Sequence, residues 1–324
     1  MPRASTILVT GAAGFIGSHL CQRLLGMGVA VIGLDNFDPF YARSAKERNL
    51  AEVQAAAPAG AFEFAPVDLT DASAMQTLLA RTRPEGIIHL AAMAGVRPSL
   101  IDPAGYAHAN VTGTTVVLSE AAKAGVHRVV AASSSSVYGN CPTAPFHEEL
   151  DVSQPISPYA ATKRACELLA YTHWKLTGMP TAMLRFFTVY GPRQRPDLAV
   201  SQFLKRVSTG EPITLFGDGS MSRDYTFVDD IVTGILAAYD HIDQHGFRIW
   251  NLGGNNPVSL GEMVGTIEAA VGRKAVTKNA PMQPGDVLRT WADLTRAKAE
   301  LSYRPATPFS EGVARQWAWQ RVHG

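Results

Sequence analysis

The chain has 324 residues, too many for one small core, which predicts one large domain or two closely packed ones. Hydrophobic residues make up 46% of it and charged residues 18%, as in an ordinary soluble globular protein. The formal net charge of +1 offers no attraction to nucleic acid or an anionic membrane, and no apolar run approaches the roughly 20 residues needed to cross a bilayer. We therefore expect neither a nucleic-acid partner nor a membrane.

Short apolar runs alternate with longer amphipathic runs from the N-terminus to about Pro192. The runs typical of strands are residues 5–10, 29–35, 61–68, 85–92, 127–134 and 180–187. The runs typical of helices are residues 14–28, 71–83, 103–125 and 157–178. Strands joined by helices of this length imply right-handed crossovers and a parallel sheet covered on both faces. We predict an α/β protein with a Rossmann-type, doubly wound parallel sheet in residues 1–192.

The elements after Pro192 are shorter and more mixed. The amphipathic or apolar pieces are residues 199–210, 212–219, 227–242, 248–254, 259–272 and 310–322. They predict a smaller C-terminal α/β lobe, residues 193–324, that binds the substrate and is partly interwoven with the first. The alanine-rich stretch 53–61 is typical of a frayed helix end followed by a loop.

The segment TGAAGFIG places Gly11, Gly14 and Gly17 between a predicted strand and a predicted helix. Glycines there permit a tight turn and close approach of the backbone to a pyrophosphate, to which the helix N-terminus offers N–H donors. The next strand ends at Asp35, whose carboxylate can accept both ribose hydroxyls and would repel a 2′-phosphate, which favours NAD over NADP. Asp68, ending a third strand, either meets the adenine amino group or caps the following helix. The predicted NAD site also includes Phe15, Ile16, Asn36, Leu69, Ala91, Ala92 and Ser133.

The segment SPYAATK carries Tyr159 and Lys163 four residues apart, on one face of a helix for which Ser157 is a suitable N-cap. An ammonium beside a phenol favours the phenolate, so the pair can supply a base near neutral pH. A run of four serines, residues 133–136, ends a predicted strand, and Ser134 precedes the tyrosine by 25 residues. We predict that Ser134, Tyr159 and Lys163 are catalytic and that the last two also contact NAD.

The segments TGAAGFIG, HLAA, SSSSVYG, SPYAATK and RDYTFVDDI resemble, in this order, the motifs of the extended short-chain dehydrogenase/reductase family. The branch that fits best contains nucleotide-sugar epimerases, dehydratases and decarboxylases. The resemblance implies that Tyr159 is the base, that Lys163 holds the nicotinamide ribose, and that Ser134 binds the reacting sugar hydroxyl. It also implies a tightly held NAD that removes hydride from sugar C4 and later returns it.

Ser135 and Ser136 distinguish between the reactions of this branch. Sugar 4,6-dehydratases carry Asp-Glu at the corresponding positions, and UDP-glucuronate decarboxylases carry a glutamate at the second. A serine hydroxyl cannot act as a carboxyl-type general acid or base near pH 7. The serines therefore favour epimerisation, in which the 4-keto sugar is reduced from its opposite face.

The segment RFFTVYGPRQRPDLA, residues 185–199, resembles the corresponding segment of UDP-glucuronate 4-epimerases, as do AGVRPS and residues 284–297. An arginine fork matches a C6 carboxylate with two charge-assisted hydrogen bonds. By the resemblance, Arg195 is the candidate for this contact and Arg193 the second choice, while Arg185 fits a buried structural role. We expect Ser135 and Ser136 to face the sugar, and Ser136 and Thr188 to help hold its carboxylate.

Four further residues are predicted at the UDP end of the substrate. The resemblance implies that Arg223 binds the pyrophosphate and Asp286 a ribose, while Phe216 lies in a segment expected to line the base pocket. Gln283 stands where galactose epimerases have a pyrophosphate arginine. Arg289 either takes over that contact or lies at the surface.

Three alternatives stay open at this point. The chain could be a 4-epimerase of UDP-glucose and UDP-galactose, or one that accepts both kinds of sugar. It could be a UDP-glucuronate decarboxylase, or a reductase that releases its product. It could also be a non-catalytic nucleotide-sugar binder, although the presence of Ser134, Tyr159 and Lys163 argues against this.

The remaining expectations concern assembly and location. The long helices at 103–125 and 157–178 could pair across a two-fold axis as a four-helix bundle, the usual dimer in this family, so we expect a homodimer. Cys21, Cys141 and Cys166 are widely spaced, without the C-x-x-C pattern of a zinc or redox site, and we expect reduced thiols in the cytoplasm and no metal. The glycine-broken N-terminal apolar run lacks the basic leader and cleavage site of a signal peptide.

Overall fold

The computed structural model describes residues 6–217, 219, 221–281 and 287–323. Its strands are β1 (Thr6–Thr10), β2 (Ala30–Leu34), β3 (Phe62–Ala65), β4 (Gly86–His89), β5 (Arg128–Ser134), β6 (Thr181–Phe186), β7 (Thr188–Tyr190), β8 (Ile213–Phe216), β9 (Ser222–Phe227), β10 (Phe247–Leu252), β11 (Pro257–Ser259) and β12 (Thr277–Ala280). Its α-helices are α1 (Phe15–Gly26), α2 (Arg43–Ala56), α3 (Ala72–Thr82), α4 (Val96–Ile101), α5 (Pro103–Tyr106), α6 (Gly113–Lys123), α7 (Pro158–Thr177), α8 (Ala199–Thr209), α9 (Val228–His241), α10 (Leu260–Val271), α11 (Thr295–Leu301) and α12 (Phe309–His323). A π-helical stretch, Ala107–Thr112, joins α5 to α6, and 3₁₀ turns span Ser135–Tyr138 and Ile242–Gln244.

Seven parallel strands form the main sheet in the order β10-β6-β5-β4-β1-β2-β3. Successive residues of a strand enter opposite cores, so that Val9 and Ile88 pack on one face and Leu8 and Ile87 on the other. All four are fully buried, because helices cover both faces, and this explains the nearly continuous apolar strands. The predicted Rossmann-type, doubly wound sheet is confirmed.

The edge strand β10 comes from the C-terminal half but belongs to this main sheet. It runs parallel to β6, from Phe247 opposite Thr181 to Leu252 opposite Phe186. Helix α9 packs against α1, and its Ile231 lies in the core on that face of the sheet. A strand of the C-terminal half therefore belongs to the main sheet, and the division into two lobes at residue 192 stays a prediction.

The rest of the C-terminal half forms a smaller α/β layer. Strands β11, β9 and β7 make one small sheet, and β12 pairs with β8 in another. Helices α8, α10 and α12 cover a separate core that contains Tyr190, Phe203 and Phe227. Because only Phe187 separates β7 from β6, the chain passes directly from the main sheet into this layer. In the part of the chain that the structure describes, no helix combines the length and apolarity of a membrane span.

Two elements differ from the sequence-based expectation. Only the end of helix α2 was expected, as the frayed helix end in residues 53–61; its body was missed because its sequence is mostly polar and its buried apolar side chains are Leu50 and Val53. The helix expected over residues 103–125 contains the π-helical stretch 107–112. Such a stretch inserts an extra residue into the helical turn, which apolar periodicity does not reveal.

Candidate active site

The glycine loop joins β1 to α1 through a turn that requires glycine. Gly11 has a φ of +71°, in the left-handed region, and a Cβ added there would lie 2.9 Å from the backbone nitrogen of Ala91. A Cβ on Gly17 would lie 2.0 Å from the carbonyl oxygen of Gly11, so α1 can approach the turn this closely only with glycine. The N-terminus of α1 thus meets the ends of β1 and β4 in a cradle that fits the pyrophosphate of NAD.

A cleft of about 780 Å³ opens at the carboxyl ends of the parallel strands, the usual ligand position in open α/β sheets. The structure brings every residue predicted to contact NAD to the wall of this cleft: Gly11, Gly14, Phe15, Ile16, Gly17, Asp35, Asn36, Asp68, Leu69, Ala91, Ala92, Ser133, Tyr159 and Lys163. The predicted substrate residues Ser134, Thr188 and Arg195 line the same cleft. The glycine loop and the three predicted catalytic residues therefore line the same cleft.

At the end of β2, the carboxylate of Asp35 is buried and lies 3.6 Å from the Nζ atom of Lys46. The lysine also lines the cleft, and sequence reasoning missed it because the first turns of α2 were not predicted. The Asp68 carboxylate accepts a hydrogen bond of 2.9 Å from Asn36. It does not cap α3, whose N-cap is Asp71, so the capping alternative for Asp68 is wrong.

The three residues predicted to be catalytic come from two elements. Ser134 ends β5, and Tyr159 lies in the first turn of α7, which Ser157 caps by accepting a hydrogen bond from a backbone N–H. Lys163 follows one turn later, is buried, and donates a hydrogen bond of 2.9 Å from Nζ to the carbonyl oxygen of Ala132. This bond ties α7 to β5 and fixes the ammonium on the same side of the cleft as Tyr159.

Ser134 is oriented by its neighbour Ser136. Its Oγ accepts hydrogen bonds from the backbone nitrogen of Ser136 at 3.1 Å and from the hydroxyl of Ser136 at 2.9 Å. The Ser134 proton is therefore free to point elsewhere, and the residue lines the cleft. Ser135 and Ser136 begin the 3₁₀ turn and do not line the cleft, so Ser136 acts here on Ser134.

A buried ionic network lies behind the serines. The carboxylate of Glu167, on α7, accepts hydrogen bonds from Ser133 (2.6 Å), Arg164 (3.0 Å) and two nitrogens of Arg185 (2.8 and 2.9 Å). Arg185 also donates to the hydroxyl of Tyr138 at 3.0 Å. The structure gives Arg185 the buried structural role expected for it, and Glu167 is a partner that the sequence did not indicate.

His89 ends β4 and is buried beneath the catalytic helix. Its ring nitrogens lie 2.7 Å from the hydroxyl of Thr10 and 3.1 Å from that of Thr114. Burial, together with the nearby charge of Lys163, lowers the pKa of His89 to about 3. The imidazole is therefore neutral at physiological pH and links β1, β4 and α6 by hydrogen bonds.

Arg195 enters the cleft from the loop after β7, and its side chain is only 13% exposed. Its Nε and Nη2 atoms donate to the two carboxylate oxygens of Asp197, at 3.0 and 2.8 Å. Its Nη1 atom donates to the carbonyl oxygen of Ala94 at 3.1 Å, and its guanidinium lies 4.7 Å from the ring centre of Phe40. Thus three loops meet at this arginine.

Arg193, the second candidate for the carboxylate contact, does not line the cleft. Its buried guanidinium forms an ion pair with Glu52 of α2 and donates a hydrogen bond of 2.8 Å to Gln22 of α1. Its φ is +63°, a left-handed conformation that turns its side chain to the opposite side of the loop from Arg195. A direct contact with the sugar carboxylate does not fit this position.

Of the residues predicted at the UDP end, the three that the structure describes do not line the cleft. The ring of Phe216 lies under the guanidinium of Arg97, 4.7 Å from its carbon. Arg223 donates to the carbonyl oxygen of Ser222 at 3.0 Å, and Arg289, which pairs with Ser222 in a parallel bridge, is exposed. Asp286 falls outside the described residues.

Comparison with known proteins places this geometry in context. Residues 7–253 match the model of the NAD dependent epimerase/dehydratase family. A UDP-glucuronate 4-epimerase of Thermodesulfobacterium geofontis is 41% identical over 97% of this chain and 95% of its own. The crystal structure of a UDP-glucuronic acid 4-epimerase from Bacillus cereus, in complex with UDP-glucuronic acid and NAD, is similar with a TM-score of 0.91, at 34% identity over 98% of this chain and all of that one.

A UDP-glucose 4-epimerase of Thermotoga maritima, crystallised with UDP-glucose, is also similar, with a TM-score of 0.88 and 30% identity over 98% of this chain and 99% of that one. These relatives match almost the whole length of the chain. The family match covers more than half of the chain, including the glycine loop, Ser134, Tyr159 and Lys163. The chain belongs to the NAD dependent epimerase/dehydratase family.

Proposed function

We propose that this chain is an NAD-dependent isomerase that interconverts UDP-glucuronate and UDP-galacturonate at C4 of the sugar. The observation that carries the proposal is one cleft that holds the glycine loop, Ser134, Tyr159 and Lys163, with the buried guanidinium of Arg195 in its wall. The serines at 135 and 136 and the relatives named UDP-glucuronate 4-epimerase support the same reaction.

The residues of the cleft account for the proton transfers. The phenolate oxygen of Tyr159 takes the proton of the C4 hydroxyl while the C4–H bond breaks. When a C4–H bond forms again, Tyr159 returns the proton to the sugar O4. Lys163 stabilises the phenolate through its charge, and the Ser134 hydroxyl donates to the sugar O4. The glycine loop and Asp35 would hold NAD, which would supply the hydride acceptor for C4, and the keto sugar would turn in the cleft before the hydride returns to its opposite face.

The sugar is held by separate groups. Arg195 pairs with the C6 carboxylate, and the hydroxyl of Thr188, which lines the same cleft, donates a hydrogen bond to that carboxylate. Holding the carboxylate in an ionic contact disfavours loss of CO₂ from the 4-keto sugar, because its charge stays stabilised. Neither Ser135 nor Ser136 can supply the acid or base that elimination needs.

The UDP part extends the site toward the C-terminal lobe, residues 193–324. We place the pyrophosphate near Arg223 and Arg289, the base near Phe216, and a ribose at Asp286. Two contacts support this position for the pyrophosphate. Arg223 donates to the carbonyl oxygen of Ser222, and Arg289 pairs with Ser222 in a parallel bridge, so both arginines lie beside the same residue. Residues 1–192 then carry NAD and the catalytic set.

Assembly and location are part of the proposal. A homodimer is supported by apolar side chains on the outer face of α7, where Leu168, Tyr171 and Leu176 are 52%, 45% and 80% exposed. Leu168 and Tyr171, three residues apart, lie on one face of the helix, and Leu176 adds an exposed apolar side chain in its last turn. A cytoplasmic location is supported by the three cysteines, which are unpaired.

The reaction is tested by incubating the NAD-loaded protein with UDP-glucuronate and following the sugar by NMR. We expect UDP-galacturonate without release of CO₂ or NADH, and no turnover of a Tyr159→Phe variant that still binds the substrate. Arg195→Ala should weaken UDP-glucuronate binding about tenfold to a hundredfold and leave UDP-glucose binding nearly unchanged. Faster conversion of UDP-glucose than of UDP-glucuronate by the unmodified protein would refute the proposed substrate.

A further inference from the structure

The contacts of Arg195 show that its guanidinium already has an anionic partner within the chain. Asp197, two residues later, holds the edge formed by Nε and Nη2 with two hydrogen bonds, at 3.0 and 2.8 Å. The arginine side chain is 13% exposed, whereas that of Asp197 is 47% exposed. The pair therefore joins a largely buried cation to a carboxylate that can still be reached by solvent.

The hydrogen-bond inventory of the arginine limits how a second carboxylate can bind. A guanidinium has five N–H groups. Asp197 takes the Nε–H and one N–H of Nη2, and the carbonyl oxygen of Ala94 takes one N–H of Nη1. Among the described residues, this leaves one N–H on Nη1 and one on Nη2 without a partner, so an incoming carboxylate cannot use the edge that Asp197 occupies.

The ring of Phe40 restricts the guanidinium further. It lies 4.7 Å below the guanidinium carbon, so the plane of the cation is fixed by Phe40 and its rotation within that plane by Asp197 and Ala94. A second anion at the remaining edge would therefore share one positive charge with Asp197. Two like charges around one cation repel each other, while a neutral sugar at the same place meets no such repulsion.

From this geometry we infer that Asp197 is a specificity-determining residue, which holds Arg195 in place but weakens its preference for an anionic sugar over a neutral one. The inference rests on the proposed function, in which Arg195 meets the C6 carboxylate. In physical terms, Asp197 partly offsets the charge of Arg195, so that the charged product can leave and a neutral UDP-sugar can still enter. Removing its charge, while keeping an oxygen that accepts from Nε, should separate these effects.

The test compares the dissociation constants of UDP-glucuronate and UDP-glucose for the NAD-loaded enzyme, measured by calorimetry. We expect Asp197→Asn to increase the ratio of the two constants in favour of UDP-glucuronate by about threefold to tenfold, from the loss of one negative charge a few ångströms from the ligand. Asp197→Glu, which keeps the charge, should leave the ratio close to its original value. The matched control is Asp243→Asn, since Asp243 also pairs with an arginine, at 3.0 Å, but that arginine, Arg128, does not line the cleft as Arg195 does.

The outcomes separate the two proposals. If the unmodified enzyme binds UDP-glucuronate more tightly but Asp197→Asn leaves the ratio unchanged or lowers it, the role of Asp197 is refuted and the proposed function stands. If the unmodified enzyme binds UDP-glucose more tightly, the proposed substrate is refuted, and the role of Asp197 with it. An equal change in the Asp243→Asn control would show a general charge effect and would also refute the inference.

Discussion

Removing the guanidinium of Arg185 should destabilise the whole chain strongly. The side chains of Arg185 and Glu167 are 1% and 0% exposed, and two hydrogen bonds of 2.8 and 2.9 Å join them. Arg185→Met keeps most of the volume but leaves the Glu167 carboxylate buried with only Ser133 and Arg164 as partners. Breaking a buried pair in this way costs about 3–5 kcal/mol, which for a chain of 324 residues corresponds to a fall in melting temperature of about 4–7 °C.

The assay is thermal unfolding followed by circular dichroism, with Arg81→Met as the matched control. Arg81 pairs with Glu63 at the surface, where the two side chains are 56% and 45% exposed, so its loss should change stability by less than about 1 kcal/mol. The double variant Arg185→Met, Glu167→Leu removes both charges and should recover much of the loss. A melting temperature of Arg185→Met within about 2 °C of the unmodified protein would refute the reasoning.

The same network predicts a pH dependence. Burial alone would raise the pKa of Glu167. The pKa is nevertheless held below its ordinary value, because Arg185 contributes hydrogen bonds and a positive charge and because Ser133 and Arg164 donate further hydrogen bonds. A carboxyl whose pKa is lower in the folded state stabilises the fold above its unfolded pKa, about 4.3, and this is lost as the pH falls further. The difference in the free energy of unfolding between the unmodified protein and Arg185→Met should therefore become smaller below about pH 4.

Two other properties can be tested in the same way. The pKa of His89, lowered to about 3, lies below that of a histidine in the unfolded chain. The folded state should therefore become less stable as the pH falls below about 6.5. In urea unfolding at pH 7.5 and 5.5, His89→Gln should reduce the pH-dependent loss by about 1 kcal/mol, and an unchanged loss would count against a neutral buried ring. Leu168→Glu should turn the proposed dimer into monomers in analytical ultracentrifugation. Val276→Glu, at a site of almost equal exposure (51% against 52%), should not, and dimers that survive the first change would place the interface elsewhere.

Much of the site could be predicted because its signals are local. Gly11 and Gly17 occur where a turn needs them, and the spacing of Tyr159 and Lys163 places both on one helical face. The strands of the main sheet could be predicted because burial on two faces requires nearly continuous apolar runs.

Other features depend on partners far away in the sequence. The sequence alone does not distinguish Arg193 from Arg195. In the fold, Arg193 has a left-handed backbone conformation and pairs with Glu52, 141 residues earlier, instead of lining the cleft. Lys46 lies on a helix too polar to show an amphipathic pattern, and its burial comes from contacts with the loop after β2. Such contacts become visible only when the fold brings the segments together.

The placement of β10 at the edge of the main sheet has a consequence for how the chain is made. Strand β6 gains its second neighbour only when residues 247–252 have been synthesised, about 60 residues after β6 itself. Until then its edge carries unpaired N–H and C=O groups, which can template pairing with another chain. The main sheet is therefore complete only after residue 252 has been synthesised, which requires most of the polypeptide.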